Sequence, residues 1–153
     1  MALTVLVDMK KVYIFTDGAC SGNPGEGGWG AILKYGTIEK EISGYCSNTT
    51  NNRMELAAVI QALCALREPC DVVLTTDSQY VVNGINNGWA KRWKENGWLK
   101  SGNKPAANAD LWGELLELIL VHSVKFVWIK GHDGHPYNER CDKLAVSKYK
   151  NNL

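Results

Sequence analysis

Residues 71–76 read DVVLTT, a short apolar run with helical patterning on either side of it. A run of this length fits a strand buried on both faces, which requires a sheet with helices packed above and below. The rest of the chain is consistent with that demand. Residues 11–17 (KVYIFTD) are rich in β-branched and aromatic side chains and predict a strand running into Asp17-Gly18. Glycine and Pro24 dominate residues 18–30, and local chemistry predicts a turn there. Residues 30–35 and 38–45 predict two further strands joined tightly at Gly36, completing an antiparallel meander of three.

Polar residues 47–52 interrupt the pattern, and residues 53–66 then read as a helix. Further helical patterns cover 78–86, 89–95 and, most strongly amphipathic, 110–122, with a loop over 101–108. A last strand over 124–129 leads through a Gly/His loop into a final helix, for which Asn138 is a suitable N-cap. Three strands, then helix–strand, helices and strand–helix, define an α/β protein with a mixed sheet. No repeat or linker divides the chain. One domain over 1–153 is expected, with 1–10 as a short N-terminal extension.

Composition narrows the functional classes. With 45% hydrophobic and 22% charged residues, 153 residues can build a core without disulfide or zinc. The 17 Lys+Arg and 16 Asp+Glu leave a net charge of +1, so a nucleic-acid partner would have to be met by a local patch. Cys20, Cys46, Cys64, Cys70 and Cys141 are odd in number and form no CxxC pair, which fits reduced thiols in a cytoplasmic protein. Residues 2–7 are apolar but far shorter than the ~20 residues of a membrane span. They also lack the basic region and cleavage site of a secretory signal. A soluble, cytoplasmic protein without membrane contact is expected.

Four acids stand out. Two strands end alike, in Phe15-Thr16-Asp17-Gly18 and Thr75-Thr76-Asp77-Ser78. In open α/β sheets ligands gather outside the carboxyl ends of the strands, where neighbouring strands would set Asp17 beside Asp77. Each Asp alone also reads plainly as a turn residue or helix cap. Glu55 falls within about 40° of Val59, Ala62 and Leu66 on a helical wheel, at the head of an apolar stripe. A carboxylate there needs a cation, a hydrogen-bond network or a raised pKa, unless it is merely a first-turn Glu favoured by the helix dipole. Asp142, inside the last helix, is by itself a solvated acid. Four such groups at one sheet edge would repel one another without divalent metal, and oxygen-only ligands point to Mg²⁺ or Mn²⁺.

The histidines say less. His132 stands in a glycine-rich loop and could simply cap a turn; His122 and His135 are read as structural. A zinc site from His132, His135 and Cys141 would lack a fourth ligand. Residues 89–105 (WAKRWKENGWLKSGNKP) are different in character. They hold Lys91, Arg92, Lys94, Lys100 and Lys104 against one acid, Glu95, and half of the six tryptophans. Trp89 and Trp93 are an i,i+4 pair on one helical face. The segment reads as a satellite core carrying solvated lysines, or as a basic projection that follows a phosphate backbone and loses grip as salt rises.

Together IFTDGACSGNPGEGGWGAIL, TTNNRMELAAVIQAL, TTDSQYV and WIKGHDGHPYNERCDKLA, in this order and spacing, resemble ribonuclease H of the bacterial type I class over nearly the whole chain. The resemblance implies a five-stranded sheet of order 3-2-1-4-5, with strand 2 antiparallel, and cleavage of the RNA strand of RNA–DNA hybrids to 5′-phosphate and 3′-hydroxyl ends. It implies that Asp17, Glu55, Asp77 and Asp142 bind two Mg²⁺ ions, or Mn²⁺ in their place, with His132 as an auxiliary catalytic residue. By the same resemblance Cys20, Asn23 and Gln79 lie along the RNA strand, Asn51 and Asn52 reach minor-groove base edges, and Thr50 meets a DNA phosphate. Trp89, Lys91, Arg92, Trp93 and Lys94 grip the DNA strand, and the enzyme is a monomer. The competing expectation is another metal-dependent phosphoryl-transfer nuclease on the same fold.

Overall fold

The computed structural model describes residues 9–150. Five strands, β1 (Lys10–Gly22), β2 (Gly25–Tyr35), β3 (Ile38–Thr49), β4 (Cys70–Thr76) and β5 (Ser123–Trp128), form one sheet of order β3-β2-β1-β4-β5. β2 is antiparallel to β1 and β3, and β4 runs parallel to β1 and β5. Among the described residues there are also five α-helices, α1 (Asn51–Cys64), α2 (Gln79–Asn86), α3 (Trp89–Glu95), α4 (Ala109–Val121) and α5 (Pro136–Lys150), and a short 3-10 turn at Ser101–Asn103. The expected fold is the observed one. Of the expected 1–10 extension, residues 1–8 lie outside the described residues, and Lys10 already pairs with Cys70 as the first residue of β1.

DVVLTT is the middle of the sheet. Val72 and Leu74 are fully buried, and they join Ile14, Leu56, Val59, Trp112 and Leu115 in the core between sheet and helices. Burying each such side chain contributes about 1.5–3 kcal/mol. The Trp112 indole donates to the Tyr80 hydroxyl at 2.8 Å, so its one polar atom is satisfied inside.

The glycine-rich stretch 18–30 corrects the expectation of a turn. β1 and β2 run straight through it, paired from Asp17↔Gly30 to Gly22↔Gly25, and only Asn23 and Pro24 turn. These glycines are there because two helices press on the hairpin. A β-carbon on Gly28 would stand 2.1 Å from the Ala145 carbonyl oxygen of α5, and one on Gly30 2.6 Å from the Leu144 β-carbon. On the opposite face, a β-carbon on Gly18 would meet the Met54 carbonyl carbon of α1 at 2.4 Å. α1 and α5 therefore cover opposite faces of the same ribbon.

The start of α5 is a second correction. Asn138 is not its N-cap but lies buried in the first turn, after Pro136. His135 precedes the helix and caps it, its Nδ1 accepting from the Asn138 amide at 3.3 Å. Proline at the first helical position supplies the φ angle without wasting a donor. His135 is structural, as expected, and so is His122, whose Nδ1 accepts from the buried Cys70 amide at 3.1 Å.

Candidate active site

β1 and β4 lie side by side up to the end of their parallel ladder, where Thr16, midway along β1, pairs with Thr76, the last residue of β4. Asp17 and Asp77 come next along each strand. Glu55 arrives from the first turns of α1, whose entry is fixed by Thr50: its hydroxyl accepts from the Arg53 amide at 3.3 Å. That helix can descend to the sheet only because Gly18 has no side chain. We expect Gly18→Ala to cost about 1–3 kcal/mol through overpacking and to weaken divalent-ion binding in parallel. Chemical denaturation and metal titration of the variant would measure both effects.

Three carboxylates thus meet. Oxygen atoms of Asp17, Glu55 and Asp77 all lie within 4.8 Å of one another. Asp17 is 5% exposed and Glu55 8%. The Gly18 amide donates to Asp17 Oδ1 at 2.9 Å and also to Glu55 Oε1. Burial, then the facing charge of Glu55, pushes the Asp17 carboxyl well above the usual carboxylate range. Burial raises Glu55 too, opposed by the hydrogen bond it shares with Asp17. Like charges this close disfavour double ionisation, which is the direction of both shifts.

Asp142 stands outside that trio. It sits half-buried on α5, on the wall of the same cleft of about 490 Å³, and its charge adds to the upward push on Asp17. The loop at 131–134 closes the other side. A β-carbon on Gly131 would come 2.6 Å from Asp77 Oδ2, so the loop leaves the sheet in contact with that carboxylate. His132 follows, exposed, with a left-handed φ of 55°, and lines the cleft.

Among the other expected contacts, Cys20, Asn51, Asn52 and Gln79 line the cleft. Asn23 and Thr50 do not: Asn23 Oδ1 accepts from the Asn51 amide at 3.2 Å, and Thr50 is the α1 cap. The Cys20 thiol donates to the carbonyls of Thr49 at 3.3 Å and Gly25 at 3.5 Å. Burial pushes it up, and pushes the Cys141 thiol up to about 12, so neither supplies a thiolate near neutral pH. Ser78, Tyr80, Val146 and Tyr149 also line the cleft, without having drawn notice in the sequence.

The basic segment forms a separate face. Trp93 packs edge-on against Trp112, ring centroids 6.2 Å apart, and Trp98 also rests on the core. Trp89 remains 37% exposed. Lys91, Arg92 and Lys94 are exposed, with Arg92 donating to the Asn87 carbonyl at 3.0 Å and Lys94 facing Glu117 at 3.5 Å. Two indoles anchor the segment as a satellite core, and its cations are exposed.

An acid trio at the carboxyl edge of a mixed sheet, with oxygen donors only and no lysine or arginine lining the cleft, is built to hold hard divalent cations. The fold and this site define a metal-dependent α/β nuclease. The RNase H family model matches residues 9–150. The chain is 59% identical to a ribonuclease H of Chlorobium phaeobacteroides (strain BS1) over 143 residues, covering 94% of this chain and 98% of the relative. It is 56% identical to one from Acetivibrio thermocellus over 144 residues, with the same coverage. Among solved structures it superposes on LC9-RNase H1, a type 1 RNase H with the type 2 active-site motif, with a TM-score of 0.81 and 32% identity, over 91% of this chain and 72% of that one. LC11-RNase H1, solved in complex with an RNA/DNA hybrid, shares the fold at a TM-score of 0.72 and 23% identity, over 93% of this chain and 99% of that one. The chain belongs to the RNase H family, whose activity is hydrolysis of the RNA strand of RNA–DNA hybrids. No helix among the described residues is long and apolar enough to cross a membrane.

Proposed function

We propose that this chain cuts the RNA strand at the cleft of Asp17, Glu55, Asp77 and Asp142, holding two Mg²⁺ ions there, or Mn²⁺ in their place. The observation that carries the assignment is the meeting of three carboxylates, two buried and one half-buried, within 4.8 Å. Divalent ions bound in such a site neutralise the phosphodiester and bring a water to nucleophilic strength at neutral pH. Asp17, facing both Glu55 and Asp77, would be a ligand to both ions. Asp142, farther out on the wall, would add a carboxylate ligand from the α5 side. His132 sits at the rim, where its imidazole can pass a proton to or from an oxygen at the cut. Water attacks directly in this reading, with no covalent step, and leaves 5′-phosphate and 3′-hydroxyl ends.

In this reading Cys20, Asn23 and Gln79 follow the RNA strand, and Asn51 and Asn52 address the minor groove. Thr50 and the face of Trp89, Lys91, Arg92, Trp93 and Lys94 hold the DNA strand. Contacts of these kinds recognise the shape of the duplex and its 2′-hydroxyls, not its base sequence. The protein works as a cytoplasmic monomer, one domain over residues 1–153. Incubating matched RNA–DNA hybrid, duplex RNA and duplex DNA with the protein, in Mg²⁺ and in chelator, tests the proposal. Cutting confined to the hybrid's RNA strand and to the Mg²⁺ sample is expected; equal cutting of all three duplexes would overturn it.

A further inference from the structure

Asp142, Val146 and Tyr149 follow one another at i, i+4 and i+7 on α5 and line the acid cleft as a continuous stripe. The stripe reaches the cleft because Gly28 lets the Ala145–Lys148 turn settle onto β2. Gly28 pairs with Ala19, next to Cys20 on β1, so the last turn of α5 faces the outer end of that strand. Tyr149 therefore lines the same cleft as Asp142 and Cys20. The proposed function assigns no role to this side chain.

We propose that Tyr149 is a substrate-contacting residue, its phenol hydrogen-bonding a ribose 2′-hydroxyl of the RNA strand next to the scissile bond. The inference rests on the proposed function: if the acids cut RNA, the strand lying along their cleft wall is the RNA strand. The partner is a hydroxyl rather than a phosphate because no lysine or arginine lines this cleft. Only the scissile phosphate would have the proposed metal ions to offset the acids. A further phosphate at Tyr149 would meet the charge of Asp142 with no side-chain cation of the cleft beside it, whereas a neutral phenol and a neutral hydroxyl exchange a hydrogen bond at no electrostatic cost. The tyrosine hydroxyl is both donor and acceptor, so it can give its proton to a ribose hydroxyl oxygen or accept that group's proton. A 2′-hydroxyl is also the group that distinguishes the RNA strand chemically.

The experiment compares the parent and Tyr149→Phe on short hybrids that are either all-ribose or carry one 2′-deoxy nucleotide at each position flanking the cut. On the all-ribose hybrid the variant should raise KM about three- to tenfold, as for loss of one hydrogen bond, with kcat within about twofold. At one position 2′-deoxy substitution should cost the parent the same factor and the variant nothing. A variant equal to the parent, or a defect that persists at every deoxy position, overturns the contact. Affinity measured by fluorescence anisotropy in an Asp17→Asn background, with and without Tyr149→Phe, reads the same contact without cleavage. A parent that cuts no hybrid would instead remove the proposed function, and the anisotropy comparison would still decide the role of Tyr149. Matching thermal melts for parent and variant would confirm that the substitution leaves the fold intact.

Discussion

Asp17→Asn is expected to lower hybrid cleavage at least about a thousandfold while leaving hybrid affinity within about tenfold, a loss of at least ~4 kcal/mol of transition-state stabilisation. The substitution is close to isosteric. An asparagine oxygen can still accept from the Gly18 amide, and its NH₂ group can still donate toward Glu55, so the hydrogen bonds at this corner survive. What disappears is one negative charge at the point where Asp17 faces Glu55 and Asp77 together. Cation binding between the three depends on that charge, and the cations act chiefly on the charge that develops during cleavage. The phosphate contacts proposed for the exposed Lys91, Arg92 and Lys94 would be untouched, so affinity is expected to hold. Steady-state rates and equilibrium binding on one hybrid separate the two effects. An active Asp17→Asn protein would take Asp17 out of the metal site.

The acid trio could be seen in the sequence because each member contradicts its local context. Asp17 interrupts the apolar pattern of β1, which runs on to Gly22, Asp77 directly follows β4, and Glu55 heads an apolar helical stripe. The sheet order was legible only through the family motifs, since periodicity gives elements and not their neighbours. The glycine run at 18–30 misled for a specific reason. Glycine reads locally as a turn signal, but here it answers a long-range demand, the descent of α1 onto Gly18 and of α5 onto Gly28 and Gly30. The α5 start was displaced for a similar reason: Asn138 has cap chemistry, yet the preceding His135 and Pro136 already begin the helix. Tyr149 went unnoticed because a tyrosine near a helix end violates no pattern. Only its spacing from Asp142 placed it on the cleft.

In chelator at pH 8, Asp17→Asn is expected to melt above the unmutated protein, and that advantage should shrink as pH falls. Asp17 and Glu55 are both raised in the folded state, foremost by burial. The folded protein therefore holds more protons than the unfolded chain once pH exceeds the ordinary carboxylate value of about 4. Stability from this pair is fully present below that value and is lost as pH climbs through the raised range. The asparagine variant keeps a single carboxyl, Glu55, without its nearest like charge, and loses less over the same window. An advantage of about 2 kcal/mol at pH 8 would appear as roughly 4–8 °C in Tm for a chain of this size, falling to near zero at pH 4. Divalent ions should reverse the order. At a hundredfold excess over Kd a bound ion adds about 2.7 kcal/mol, and only the protein with its charge cluster complete collects it. Melts of both proteins at pH 4, 6 and 8, in chelator and in Mg²⁺, give the comparison. An unmutated protein that is the more stable in chelator at pH 8, or equal Mg²⁺ shifts in the two, would mean that these carboxylates are not a mutually repelling, metal-seeking group.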